Sequence, residues 1–125
     1  IFFDRILKKK EVTVNGGYQT RDFIFVKDVA DVLYASMVKL SKKSFCDTLN
    51  VGTGVSISID ELLSIILDLV RASPKIIRKE LPDGDPKISK GTFNKIKNIL
   101  NINIDEFVDL KHGLKQTLQS FNKVS

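Results

Sequence analysis

The chain has 125 residues, 42% of them hydrophobic and 28% charged, with seven glycines and three prolines. That composition suits one globular domain or one piece of a larger protein, and it excludes disordered and collagen-like classes. The single cysteine, Cys46, excludes an internal disulfide framework and a multi-cysteine metal cage.

The formal net charge is +5, and residues 72–125 hold ten basic and six acidic groups, so the excess sits in the C-terminal part. A basic patch can attract phosphate. No zinc spacing, aromatic stacking platform or Arg-rich run accompanies it, which predicts a solvated Lys-rich surface and no nucleic-acid partner. No apolar run approaches the roughly 20 residues of a membrane span. The start, Ile1-Phe2-Phe3-Asp4-Arg5, carries no secretory signal and reads as the middle of a helix, so a fragment or processed piece is expected. A lone cysteine fits a reducing cytoplasm.

In chain order, Ile1 to Leu7 reads as the end of a helix, closed by Lys8, Lys9 and Lys10 at its negative dipole end. Val12-Thr13-Val14 reads as a strand and Asn15-Gly16-Gly17 as a turn that tolerates positive φ. Phe23 to Val26 is a β-prone apolar run. Asp28 is expected to cap a helix carrying Val29, Val32, Leu33, Ser36, Met37 and Leu40 on one stripe and ending at Ser41-Lys42-Lys43. Asp47 to Val51 reads as a strand, followed by Gly52-Thr53-Gly54. Ser58-Ile59-Asp60-Glu61 matches a capping box opening a helix to about Arg71. That helix is apolar nearly all round and predicts missing partner surface. Lys75 to Leu81 is a predicted strand and Pro82 to Pro86 a loop. Thr92 is a candidate cap for a helix over Phe93 to Leu100. A last helix is expected over Glu106 to Phe121, with Phe107, Leu110, Leu114, Leu118 and Phe121 on one face. The alternation of elements makes the class α/β.

Three segments carry a resemblance. The first runs from Gly16 through Gln19, Arg21-Asp22-Phe23-Ile24-Phe25-Val26 and Asp28-Val29-Ala30. The second is Asn50-Val51-Gly52-Thr53-Gly54 with Ser58 and Glu61-Leu62. The third is Gly84-Asp85-Pro86 with Asn94-Lys95 and Ile99-Leu100. Together with Gly113-Leu114 and Thr117-Leu118, they resemble the NAD(P)-dependent nucleotide-sugar epimerase/dehydratase family, the extended short-chain dehydrogenases, over almost the whole chain. The resemblance implies the C-terminal, substrate-binding portion of that Rossmann-type fold, residues 1–125 forming one such piece, with the Rossmann N-terminal half absent. It also implies a nucleotide-diphosphate sugar as ligand, NAD or NADP bound by the missing N-terminal half, a homo-oligomer, and a 4-epimerase-like parent. The sequence contains no G-x-x-G-x-x-G motif, and Tyr18 and Tyr34 are followed four residues on by Asp22 and Val38 where a Tyr-x-x-x-Lys pair needs lysine. The chain alone is therefore not expected to bind NAD in the family's manner or to transfer a hydride.

The substrate-binding candidates are Arg21, Thr13, Asn15 and Asp85. Arg21 has the guanidinium geometry that grips a diphosphate, and the matching family arginine contacts phosphates; the alternative is an ion pair with Asp22 or Asp28. By resemblance, Thr13 and Asn15 lie where backbone groups hold the nucleobase; the alternative is an ordinary strand and turn. Asp85 matches an aspartate that bonds a ribose hydroxyl or positions an arginine; the alternative is a turn residue beside Pro86. The family's R-x-G-D arginine is here Pro82, and Arg78, Lys79 and Lys87 stand as possible replacements. Asp22 and Asp28 are expected to be structural, Gly52 and Gly54 to form a tight turn, His112 to be a surface or packed residue with no catalytic constellation, and Cys46 to be an inert buried thiol. The rival functions are a stand-alone nucleotide- or protein-binding module and a basic nucleic-acid-binding domain.

Overall fold

The computed structural model describes residues 1–42, 46–91 and 93–123. The chain divides into two compact units. One comprises residues 1–21, 57–89 and 114–125, the other residues 22–56 and 90–113.

In the first unit, helix α1 (Phe2–Leu7) leads into strand β1 (Val12–Asn15). Strand β4 (Ile76–Lys79) pairs with β1 in parallel, with Val12 opposite Ile76 and Asn15 opposite Lys79. Alternation along β1 buries Val12 and Val14, each 1% exposed, and turns Thr13 and Asn15 to the other side. Strand β2 (Thr20–Asp22) pairs with β3 (Ser56–Ser58). Helix α3 (Ile59–Val70) follows β3 without a loop. Its capping box forms as expected. The Glu61 N–H donates to Ser58 Oγ at 3.1 Å, and the Ser58 N–H donates to the Glu61 carboxylate at 2.7 Å. The Ser58 N–H and, next, the Ser58 hydroxyl, both donating to it, hold the Glu61 carboxyl below its usual range. Leu62, Leu63 and Ile66 of α3 join Phe3, Ile6, Val12 and Val14 in the core. Phe3 meets Phe121 with ring centroids 6.0 Å apart at 44°.

In the second unit, α2 (Val26–Lys42) contacts α4 (Asn94–Leu100), and Val32 and Ile96 are buried there. A 3-10 turn spans Ile104–Glu106 ahead of α5 (Leu110–Lys123), which runs on into residues of the first unit.

Several expectations are corrected. Phe23 to Phe25 form no strand; the strand lies just before, at Thr20–Asp22, and Val26 already opens α2. Asp47 to Val51 form no strand either, and no neighbouring strand is there to pair with them among the described residues. Asp28 is not a cap. It lies inside the first turn of α2, 7% exposed, and accepts the Val108 N–H at 3.0 Å. The last helix starts at Leu110, not Glu106, because residues 104–106 form the tighter 3-10 turn. Thr92, the candidate cap, lies outside the described residues. The apolar residues of α3 are all buried or half-buried, whereas α2 exposes Val26, Leu33, Tyr34, Met37 and Leu40. The uncovered apolar face expected on 59–71 is therefore on α2. Cys46 is exposed, not buried. No helix among the described residues is long and apolar enough to cross a membrane.

Candidate functional site

The signature segment builds a turn and then a ribbon. Gly16 and Gly17 take φ of 68° and 115°. Gln19, 5% exposed, clamps them: its Oε1 accepts the Gly17 N–H at 2.6 Å and its Nε2 donates to the Asn15 carbonyl at 2.8 Å. A buried amide needs both partners, and here it has them. Reading the sequence gave Gln19 no role, although its place directly after two glycines and one exposed tyrosine was the available signal. Beside this turn, Gly16, Tyr18, Arg78, Lys79, Glu80 and Leu81 line an open groove of about 490 Å³.

Past Gln19 the chain enters β2, which takes on a second neighbour. Thr20 forms a parallel bridge with Ile88. Its N–H donates to the Lys87 carbonyl at 2.9 Å, and its carbonyl accepts the Ser89 N–H at 3.2 Å. Across this ribbon Arg21 donates from Nη1 to the carbonyls of Thr20 and Pro86, both at 2.8 Å, and from Nη2 to Asp85 Oδ1 at 2.5 Å. Arg21 and Asp85, 64 residues apart in sequence, are thus joined. The alternative pairing of Arg21 with Asp22 or Asp28 does not occur, because both those carboxylates are committed elsewhere. These bonds use three of the guanidinium's five N–H groups, which leaves Nε–H and one Nη2–H without an acceptor among the described residues. The Arg21 side chain is 23% exposed, so it stays partly open to solvent.

Thr13 and Asn15 lie on β1 opposite Ile77 and Lys79. Thr13 is half-buried and Asn15 exposed. No hydrogen bond among the described residues joins their side chains to Arg21 or Asp85. Their link to the ribbon is indirect, through the Asn15 carbonyl held by Gln19.

The other glycine-bearing turn is closed. The Asp22 carboxylate accepts the N–H groups of Thr53 at 3.0 Å and Gly54 at 2.8 Å, and the Thr53 hydroxyl at 2.6 Å. Gly52 is required by close approach, since a Cβ there would sit 2.4 Å from the Phe93 ring and 2.8 Å from the Asp22 carboxylate. The Asp22 carboxylate thus takes up the N–H groups of Thr53 and Gly54.

His112 is exposed, and its Nδ1 meets the Asp109 carboxylate, a partner the sequence reading did not give it. Bonds from the His112 backbone and ring hold the Asp109 carboxyl below its usual range. The contact lies at the start of α5, where Asp109 Oδ1 also accepts the His112 N–H. No cluster able to hold a metal ion occurs among the described residues.

The N-terminus of α3 does not offer a pyrophosphate site. β3 runs straight into α3 with no glycine loop, and the first N–H groups of α3 are consumed. Ile59 donates to the Gln19 carbonyl, Asp60 to the Gly17 carbonyl and Glu61 to Ser58. Asp60 and Glu61 add negative charge at that terminus, which opposes a pyrophosphate.

Arg21 thus stands beside the Gly84-Asp85-Pro86 loop in an α/β setting. Residues 1–52 match the family model described as NAD dependent epimerase/dehydratase family. A putative UDP-glucose 4-epimerase of Methanocaldococcus jannaschii is 31% identical over 94% of this chain and 36% of its own length. Among solved structures, the UDP-glucose 4-epimerase of Thermotoga maritima with UDP-glucose superposes with a TM-score of 0.86 at 27% identity, over 98% of this chain and 38% of that one. The UDP-N-acetylglucosamine 4-epimerase of Methanobrevibacter ruminantium in complex with UDP-N-acetylmuramic acid gives a TM-score of 0.85 at 26% identity, over 99% of this chain and 38% of that one. The chain is similar to the C-terminal part of NAD-dependent epimerases/dehydratases, and it spans little more than a third of the length of the curated relatives it matches.

Proposed function

We propose that this chain is the nucleotide-sugar-binding portion of an NAD-dependent epimerase or dehydratase, with residues 1–125 serving as its substrate-side piece. The observation that carries this reading is Arg21. It is anchored by two carbonyls and Asp85, and it retains two N–H donors on a side chain that stays partly open to solvent. An anchored guanidinium loses little freedom on binding a diphosphate, so its charge-assisted bonds translate into affinity. The names of the relatives, which are enzymes of UDP-sugars, support a nucleotide-diphosphate sugar as the ligand. Thr13 and Asn15 would meet the base through β1, and Asp85 would hold Arg21 in place.

The chemical step falls to residues outside these 125. The family is NAD-dependent by description, and NAD or NADP belongs in this reading to that other portion of the protein. The present residues bind and orient the substrate and are not expected to catalyse alone. A homo-oligomer and a cytoplasmic setting complete the reading. A second reading, a non-catalytic protein-binding module, draws on the exposed apolar face of α2.

Calorimetric titration of the full chain with UDP tests the proposal. The wild type should bind, and Arg21→Gln should weaken binding by roughly tenfold or more. Equal affinity in the two proteins would refute it.

A further inference from the structure

The Arg21–Asp85 contact, at 2.5 Å, is close to charge-neutral as a unit. A diphosphate brings at least two negative charges, and a neutral unit attracts it weakly in spite of its free N–H groups. A site of this kind needs an uncompensated cation on the same face. Three basic residues lie near enough in the chain to supply one. Arg78 is held by Asp60 at 2.8 Å. Lys79 stands on β4 opposite Asn15, away from the ribbon's ladder. Lys87 belongs to the ladder itself, through its carbonyl bond to Thr20.

The hydrogen bonds of the ribbon set Lys87 near Arg21. Thr20 and Ile88 are bridged in parallel, Arg21 follows Thr20, and the chain bends at Lys87 just before the bridge, where the Lys87 carbonyl accepts the Thr20 N–H. Lys87 is exposed and has no ion pair among the described residues. The Arg21 bond to the Pro86 carbonyl draws the residue just before Lys87 against the guanidinium.

We propose that Lys87 is the second cation of the Arg21 site, and that its ammonium supplies the net positive charge by which the site favours a nucleoside diphosphate over a monophosphate. This rests on the nucleotide-binding reading above. Arg21 gives planar, fixed donors, while Lys87 gives a mobile point charge that can follow either phosphate.

The test is titration of the full chain with UDP and with UMP, in wild type, Lys87→Met, Lys87→Arg and Arg21→Gln, each checked for native fold by circular dichroism. Lys87→Met should weaken UDP roughly tenfold and UMP much less, and should flatten the salt dependence of UDP binding. Lys87→Arg should restore most of the loss. If Lys87→Met leaves UDP affinity unchanged while Arg21→Gln lowers it, Lys87 is not the second cation and the nucleotide reading survives. If Arg21→Gln is also without effect, or UDP does not bind the folded wild type, the nucleotide reading falls and takes Lys87 with it.

Discussion

Two aspartates of one chain show how a carboxylate becomes structural or stays available. Asp22 is surrounded by donors from the 52–54 turn: two backbone N–H groups and a hydroxyl converge on it. Asp85 meets a single side chain, Arg21, and is itself 37% exposed. The first arrangement consumes every donor that could have held a foreign anion. The second orients a cation and leaves part of its hydrogen-bonding capacity unused. Glycine-rich turns are often read as phosphate cradles, yet in this molecule the glycine turn at 52–54 is filled from within. The partly satisfied arginine is the group on which the proposed nucleotide binding rests.

The comparison can be broken by experiment, most strongly at Asp22. Asp22→Ala removes the acceptor of three donors that have no other bond of comparable quality, so stability should fall by about 3 kcal/mol. A urea midpoint within error of wild type would show that the clamp is no more structural than the ribbon. Gly52→Ala should cost about 1–3 kcal/mol, since its Cβ must displace the Phe93 ring or the Asp22 carboxylate. Gly17→Ala should cost a similar amount for a different reason. Its φ of 115° is one that side chains rarely take, and the Cβ would press on Asp60.

Asp85→Ala sharpens the contrast from the other side. A partly exposed ion pair adds little to folding, so thermal denaturation should register a loss under about 1 kcal/mol. A loss matching that of Asp22→Ala would make the ribbon pair a structural clamp as well. The smallest expected effect concerns pH. The Glu61 carboxyl is held below its ordinary 4.5 by Ser58. A depressed folded-state value means the contribution is fully present above about 4.5 and is lost as the pH falls through the lower folded value. Urea midpoints compared at pH 6 and pH 3.5 should therefore converge slightly in Glu61→Gln relative to wild type. An unchanged difference would mean that the capping box does not titrate with folding.

Much of the fold was legible because it rests on local chemistry. The Ser58–Glu61 box, the positive-φ turn at Gly16-Gly17 and the β1 alternation each depend on residues a few positions apart, and each formed where its pattern stood. The misses were at apolar runs. Phe23 to Phe25 and Asp47 to Val51 both carry β-prone residues, but a strand exists only when a second strand accepts its hydrogen bonds, and none does so among the described residues. The helix with too much apolar surface was also misassigned. Hydrophobic residues count the same in sequence whether a neighbour covers them or not; α3 is covered and part of α2 is not.

For the candidate site, the sequence by itself singled out Arg21 as a guanidinium suited to a diphosphate and, through the resemblance, Asp85 as an aspartate that bonds a ribose hydroxyl or positions an arginine. It also indicated that no dinucleotide motif is present. Only the tertiary structure decided which carboxylate Arg21 pairs with, that Gln19 locks the preceding turn, that Asp22 fills the glycine turn, and that the Pro86 carbonyl, next to Lys87, meets Arg21. The physical reason is common to all four. Hydrogen bonds and ion pairs are satisfied by whichever group the fold brings within about 3 Å, and partners separated by up to 65 residues leave no trace in sequence spacing.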